Sequence, residues 1–250
     1  MLNDGMRVRK RSGDLEPVNF NKITKALTYH ARGITDVDIV KIASKTIGGL
    51  YDGASTSEID EISIRNCASM VYDSPNYSKL AARIKISCLE KDVNSIGISS
   101  FAQSIDFGYR TGQINQRVAS FVRKNQRKFN SAIDNSMNDH FHFIAVENLI
   151  DRYLIKDAET KKPIETIQYM WMRISCAMTE NVSDAVELYK TLANLFYLPS
   201  SPTLFNAGKT REQLSSCFLL DSPEDSLDSI YKNYRDIAFL SKFSGGIGVS

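Results

Sequence analysis

The stretch Leu198-Pro199-Ser200-Ser201-Pro202-Thr203-Leu204-Phe205-Asn206-Ala207-Gly208 continues through Ser215-Ser216-Cys217-Phe218-Leu219-Leu220 to Ser244-Gly245-Gly246-Ile247-Gly248. Turn residues, hydroxyls, one thiol and a glycine cluster crowd together here. Phe218-Leu219-Leu220 is a short apolar run flanked by Ser and Pro, which suits a buried strand whose end, not its face, carries polar groups. A polar turn through Ser222-Pro223-Glu224 and an amphipathic helix from Asp225 to about Lys242 (Leu227, Ile230, Tyr234, Ile237, Ala238) complete a β-loop-α unit. Strand ends of such units are where α/β enzymes place chemistry. Cys217 beside Ser215 and Ser216 has the polar setting of a working thiol, although a lone strand cysteine is more often packing. Asp225 and Ser226 at the helix start read either as a plain N-cap or as an acidic group and amide donors for a nucleotide.

Upstream, Ile167, Met170, Trp171, Ile174 and Met178 mark one strong helix and Ala185, Leu188, Tyr189, Leu192, Ala193 and Phe196 a second. Residues 153–164 read as strand, polar turn and return strand. Val93 to Gly112 is rich in Ser and Gly without a sustained period and reads as a domain connection. Arg117, Arg123, Lys124, Arg127 and Lys128 alternate with Phe121 and Phe129; a solvated amphipathic helix accounts for them better than a nucleic-acid patch. His140 and His142 beside Asp139 lack the further His or Cys of a metal site and are assigned to turn and helix-start contacts.

At the front, Met6 to Lys10 and Glu16 to Phe20 flank Ser12-Gly13-Asp14 as a hairpin. Four amphipathic helices follow, with faces at Ile23/Ala26/Leu27/His30, Ile39/Ile42/Ala43/Ile47/Leu50, Ile59/Ile62/Cys67/Met70 and Leu80/Ala81/Ile84/Cys88. Thr56 and Ser57 ahead of Glu58 and Asp60 form a capping-type start to the third helix. Lys10, Arg11, Lys22 and Lys91 are the cations to weigh: singly each reads as solvated, together they suit a triphosphate.

The 250 residues carry a net charge of +2, which gives no global footprint for DNA or an anionic membrane. Four cysteines, Cys67, Cys88, Cys176 and Cys217, lie far apart without a Cys-x-x-Cys pair, against zinc and against a secreted disulfide framework. The N-terminus lacks the apolar core of a signal peptide, and no apolar run is long enough for a bilayer. A cytoplasmic protein is expected.

Val8-x-Lys10-Arg11-x-Gly13, Glu16, Phe20, Lys22-Ile23, Tyr51-Asp52-Gly53, Thr56, Asp60, Ala81-Ala82-Arg83-Ile84 and Lys91 resemble the ATP-cone, a regulatory nucleotide-binding domain. Ser200 to Gly208, Gln213 to Leu220, Asp225-Ser226 and Ser241-Lys242-x-x-Gly245-Gly246-Ile247-Gly248 are similar to the large subunit of class I ribonucleotide reductase. The resemblance implies a mixed α/β, mostly helical architecture: a hairpin-capped four-helix ATP-cone at 6–92, a helical domain at 93–198, and from 199 to 250 the first strands of an incomplete α/β barrel. It implies that Lys10, Arg11, Lys22 and Lys91 meet phosphates of ATP or dATP, while Glu16, Thr56 and Asp60 hold ribose or base. It makes Cys217 one of two thiols that reduce the ribose 2′ position and become a disulfide, with Ser201, Ser216 and Gly246 at the substrate nucleoside diphosphate. Asp225, Ser226, Leu227 and Lys242 are implied for a specificity site that takes a deoxynucleotide or ATP.

The same resemblance implies no covalently bound cofactor in this chain, a radical from a separate metal-containing small subunit, thioredoxin or glutaredoxin as reductant, and a homo-oligomer without nucleic acid or membrane partners. The sequence stops at Ser250 without a later Cys, Glu or Asn for the radical thiol, the second redox thiol or the acid/base group. The chain is therefore expected to need the C-terminal part of the large subunit for activity, and to be poorly soluble alone because its sheet lacks neighbours. A non-catalytic module that senses ATP or dATP is the alternative reading.

Overall fold

Short polar side chains set the starts of most of the α-helices, where they accept hydrogen bonds from otherwise orphaned N–H groups. The computed structural model describes residues 6–10, 13–242 and 245–250. Along the chain run β1 (Arg7–Arg9), β2 (Leu15–Pro17), α1 (Phe20–His30), α2 (Ile39–Gly48), β3 (Ala54–Ser55), α3 (Thr56–Ser69) and α4 (Asn76–Ser95). Then come α5 (Phe101–Arg110), α6 (Gln116–Lys124), α7 (Gln126–Ala132), a 3₁₀ turn (Asn135–His140), α8 (Phe143–Asn148) and a π turn (Leu149–Tyr153). The rest is α9 (Ile167–Met178), α10 (Val182–Ala193), α11 (Ser201–Asn206), β4 (Cys217–Leu220), α12 (Leu227–Lys242) and β5 (Gly246–Val249). The chain divides into two compact units, one of residues 1–97 and 135–151, the other of 98–134 and 152–250.

In the first unit β2, β1 and β3 form a small sheet. The hairpin predicted from the sequence is present, with Val8 opposite Glu16. β3 joins β1 in parallel, Arg9 against Ser55, and two residues are too few to show a strand period in sequence. The four predicted helices are α1 to α4. Asn19 caps α1 by accepting from Lys22 N–H and Asp38 caps α2 by accepting from Lys41 N–H. The third cap lies one residue earlier than expected. Ser55 accepts from Glu58 N–H while the Glu58 carboxylate accepts from Ser55 N–H at 2.7 Å, a reciprocal capping box with Thr56 already helical. Leu27, Ile42, Ala43, Ile64, Cys67, Leu80, Ala81 and Ile84 fill the core. Residues 135–151 pack onto α4: Arg83 holds Asp139 through two nitrogens, at 2.9 and 3.1 Å, and Lys85 reaches both Glu61 and Glu147 at 3.0 Å.

The second unit is built around α9, whose residues 167–177 are all buried except Tyr169. The change from one unit to the other, between Gly97 and Ile98, falls inside the connection expected at 93–112, but most of that stretch is helical: the end of α4, with Leu89 and Val93 buried, followed by α5. The buried face of α5 is Phe101, Ser104, Ile105 and Gly108, and half of it is small because the packing is close. Ser104 Oγ donates to Ile164 O at 2.8 Å, and a Cβ on Gly108 would stand 2.6 Å from an Ile114 methylene. The expected strand pair at 153–164 shrinks to a single bridge, Lys156 with Pro163, around a turn in which Asp157 accepts from Thr160 N–H at 2.7 Å. α6 and α7 occupy the basic, Phe-bearing stretch read as amphipathic helix, with Phe129 buried and Phe121 edge-on to it. β4 and β5 pair in parallel across α12, Cys217 against Gly246 and Phe218 against Ile247.

Candidate functional site

A buried ion pair fixes the floor of the second unit's site. Arg173 on α9 binds both carboxylate oxygens of Glu165 at 2.9 Å, with its side chain fully buried and that of Glu165 2% exposed. Its third nitrogen donates to Ala207 O at 2.5 Å, and Ile155 N–H donates to Glu165 at 2.8 Å. All remaining polarity is thus satisfied, which is what makes a buried pair tolerable. The following residue, Gly208, has φ +82° and packs against the Arg173 side chain, a backbone geometry that an L side chain would strain. The 207–213 loop is then pinned by Thr210 Oγ1 to Gly112 O at 2.6 Å, Asn206 Nδ2 to Gln213 O at 2.7 Å and Gly208 N–H to Glu212 at 2.7 Å.

Above this floor opens a cleft of about 800 Å³ that brings together Ser201, Ser216 and Lys242. Ser201 begins α11 and shares a 3.2 Å hydrogen bond with Tyr153 Oη, whose ring stacks on Phe205 at 4.8 Å. Cys217 follows Ser216 and is exposed, whereas Cys67, Cys88 and Cys176 are buried. Burial pushes the Cys67 thiol up to about 12 and raises Cys176 as well, so neither is a thiolate at neutral pH. Gly246 N–H donates to Ser216 O at 2.8 Å, and a Cβ at Gly246 would meet that oxygen at 3.2 Å and the Cys217 sulfur at 3.5 Å. A side chain there would crowd the Ser216 carbonyl and cover one side of the sulfur, so glycine keeps this approach widest. Ser226 accepts from Ser229 N–H at 3.2 Å, so Asp225, Ser226 and Leu227 form the start of α12. Lys242 is the last residue of that helix, roughly 22 Å away at 1.5 Å per residue.

In the first unit the Glu16 carboxylate gathers Lys10 and Lys22, each at 2.9 Å, and Lys10 then Lys22 hold it below the ordinary carboxylate range. Parallel β1 and β3 deliver Lys10 and Thr56 to the same end of the sheet. One turn beyond Thr56 on α3, Asp60 accepts from Lys91 Nζ and from the Cys88 thiol, both at 3.4 Å. His30 stands beside them; burial and then the Lys91 charge push its imidazole down, opposed by Asp60. Arg11 lies outside the described residues. Tyr51 donates to Glu58, and that bond, with the Ser55 amide and hydroxyl, lowers the Glu58 carboxyl to about 2.

Sequence reasoning did not find Lys209 or Arg211 at the cleft, Tyr153 against Ser201 and Phe205, nor His30 and Cys88 beside Asp60. The last two sat on apolar helical faces and carried a signal only in their spacing from Lys91 and Asp60. Among the described residues no group of three His, Cys, Asp or Glu side chains could hold a metal ion, and no helix is long and apolar enough to cross a membrane.

The family model for the ATP cone domain matches residues 6–92, that for the ribonucleotide reductase all-alpha domain 139–212, and that for its barrel domain 215–250. The ribonucleoside-diphosphate reductase large chain of Cryptosporidium parvum is 36% identical over 253 residues, covering 98% of this chain and 31% of that protein. The large subunits of Caenorhabditis elegans (36% over 251 residues, 97% and 32%) and Danio rerio (35% over 257 residues, 98% and 32%) are similar to the same extent. The chain spans about a third of the length of the curated relatives it matches. Over that third the chain is similar to ribonucleotide reductase large subunits, and it carries segments that match the ATP cone, the ribonucleotide reductase all-alpha domain and its barrel domain in that order.

Proposed function

We propose that this chain forms part of a ribonucleoside-diphosphate reductase in which Cys217 is one sulfur of the reducing dithiol. The observation that carries the reading is the exposed thiol at the start of β4, beside the Gly246 approach and next to Ser216, which shares one cleft with Ser201. A thiyl radical takes the ribose 3′ hydrogen, the 2′ hydroxyl leaves as water, the dithiol gives two electrons and two protons and becomes a disulfide that thioredoxin or glutaredoxin reduces, and the radical thiol returns the hydrogen to the 3′ position, restoring the thiyl radical. The radical originates in a separate metal-containing small subunit. Since Cys67, Cys88 and Cys176 are buried, the second sulfur and the radical thiol come from other parts of the large subunit.

Ser201, Ser216 and Gly246 hold the substrate. Lys10, Arg11, Glu16, Lys22, Thr56, Asp60 and Lys91 bind ATP or dATP as activity effectors, the two ion clusters supplying charge for phosphates once Glu16 and Asp60 exchange their ammonium partners. Asp225, Ser226, Leu227 and Lys242 serve specificity effectors. Their separation along α12 lets them meet in one site only through a second copy of the chain, which supports a homo-oligomer. The reaction belongs in the cytoplasm, where a reducing pool can regenerate the dithiol. In a complex reconstituted with the small subunit and the rest of the large subunit, Cys217→Ser is expected to abolish turnover and leave ATP and dATP affinity intact. Turnover equal to wild type would remove Cys217 from the reaction.

A further inference from the structure

Among the described residues the cleft that holds Ser201 and Ser216 is lined by three cations, Lys209, Arg211 and Lys242, and by no carboxylate. The nearby acids are engaged elsewhere: Glu165 is closed by Arg173, and Glu212 takes Gly208 N–H at 2.7 Å, with Asn115 Nδ2 at 3.4 Å and Arg117 at 3.7 Å. Lys209 is the informative member. Its backbone is locked, since Ile114 bridges it and its carbonyl accepts from Asn115 Nδ2 at 3.2 Å. Its ammonium is partly buried and has no carboxylate within ion-pair distance among the described residues. Burial and then the Arg173 charge behind it push this ammonium down, with Glu165 opposing. A half-desolvated cation facing a cleft beside hydroxyls gains most from a multiply charged oxyanion, which supplies both charge and acceptors.

The geometry points to Lys209 as a substrate-binding residue that takes the diphosphate of the nucleoside diphosphate in the Ser201/Ser216 cleft. This rests on the nucleotide reading of that cleft and names the group that anchors its charged end. Lys209 lies seven residues before Ser216 on a pinned loop, so the phosphate end is set by the same floor that positions α11.

The test uses the full 250-residue chain with inorganic pyrophosphate as the probe, titrated by calorimetry in low-salt buffer. Lys209→Gln is expected to weaken pyrophosphate binding on the order of tenfold, as loss of one charge-assisted contact does. Lys209→Arg is expected to stay close to wild type, and Lys232→Gln, on exposed α12, to match it. Should Lys209→Gln fail to fold by circular dichroism, Lys209→Met keeps the aliphatic stem and carries the same comparison. Wild-type affinity in the charge-free variants, equal weakening by Lys232→Gln, or no pyrophosphate binding by the wild-type chain would each overturn the assignment. Protection of Cys217 from iodoacetamide by a nucleoside diphosphate reads the nucleotide assignment separately. Protection that persists without any Lys209 effect sinks Lys209 alone, whereas pyrophosphate binding without protection by the nucleotide sinks the substrate reading of the cleft.

Discussion

Helices α4 and α12 are both amphipathic in sequence, yet one is the spine of a core and the other has no fully buried residue, with Ile230, Ile237 and Leu240 only half-buried. α4 hides Tyr77, Leu80, Ala81, Ile84 and Leu89 among its neighbours, while Leu227, Tyr231 and Tyr234 of α12 are exposed. The difference shows that an apolar stripe states what a helix is able to bury, and that only a covering element turns it into stability. β4 and β5 make the same point in strands. A parallel pair ordinarily has both faces covered, but Leu219 and Val249 are exposed.

The comparison breaks most readily at the deepest polar contact. Glu165→Gln leaves the buried Arg173 guanidinium without a countercharge and is expected to cost about 3–5 kcal/mol, read as a lowered urea midpoint for the second unit. Leu80→Ala, at a site with no exposed area, is expected to cost about 2–5 kcal/mol. Tyr234→Ala in α12 is expected to stay within about 0.5 kcal/mol; equal losses at Leu80 and Tyr234 would erase the contrast. Ser55→Ala removes one half of the capping box and is expected to cost about 1 kcal/mol. The Glu58 carboxyl, lowered to about 2 from 4.5 by Tyr51 and Ser55, stabilises the fold fully above its unfolded value and loses that effect as pH falls toward 2. Glu58→Gln should flatten that part of the acid transition. Finally, sedimentation of the isolated chain is expected to show self-association through the open strand edges, and monodispersity at high concentration would count against it.

The first unit's helices were legible because Ile42, Leu80 and their neighbours repeat at helical spacing and short polar residues mark the starts. α5 was hidden because Ser104 and Gly108 occupy core-facing positions, where close packing requires small residues that otherwise signal loops. At the site, Ser216, Cys217 and Gly246 stood in local patterns. Tyr153 did not, because its meaning depends on Ser201 and Phe205 about fifty positions later. Lys209 was silent for a related reason: an exposed loop lysine and one turned into a cleft read alike until Glu165 and Glu212 are seen to be occupied.

The guanidinium that joins Glu165 to Ala207 gives the cleft a lifetime. Because α11 hangs on the carbonyl held by Arg173, the rim cannot loosen while α9 stays packed, and the cleft should persist as long as the whole unit does. Amide protons such as Gly208 N–H should then exchange with solvent at the pace of global opening, far slower than the exposed turn around Pro223.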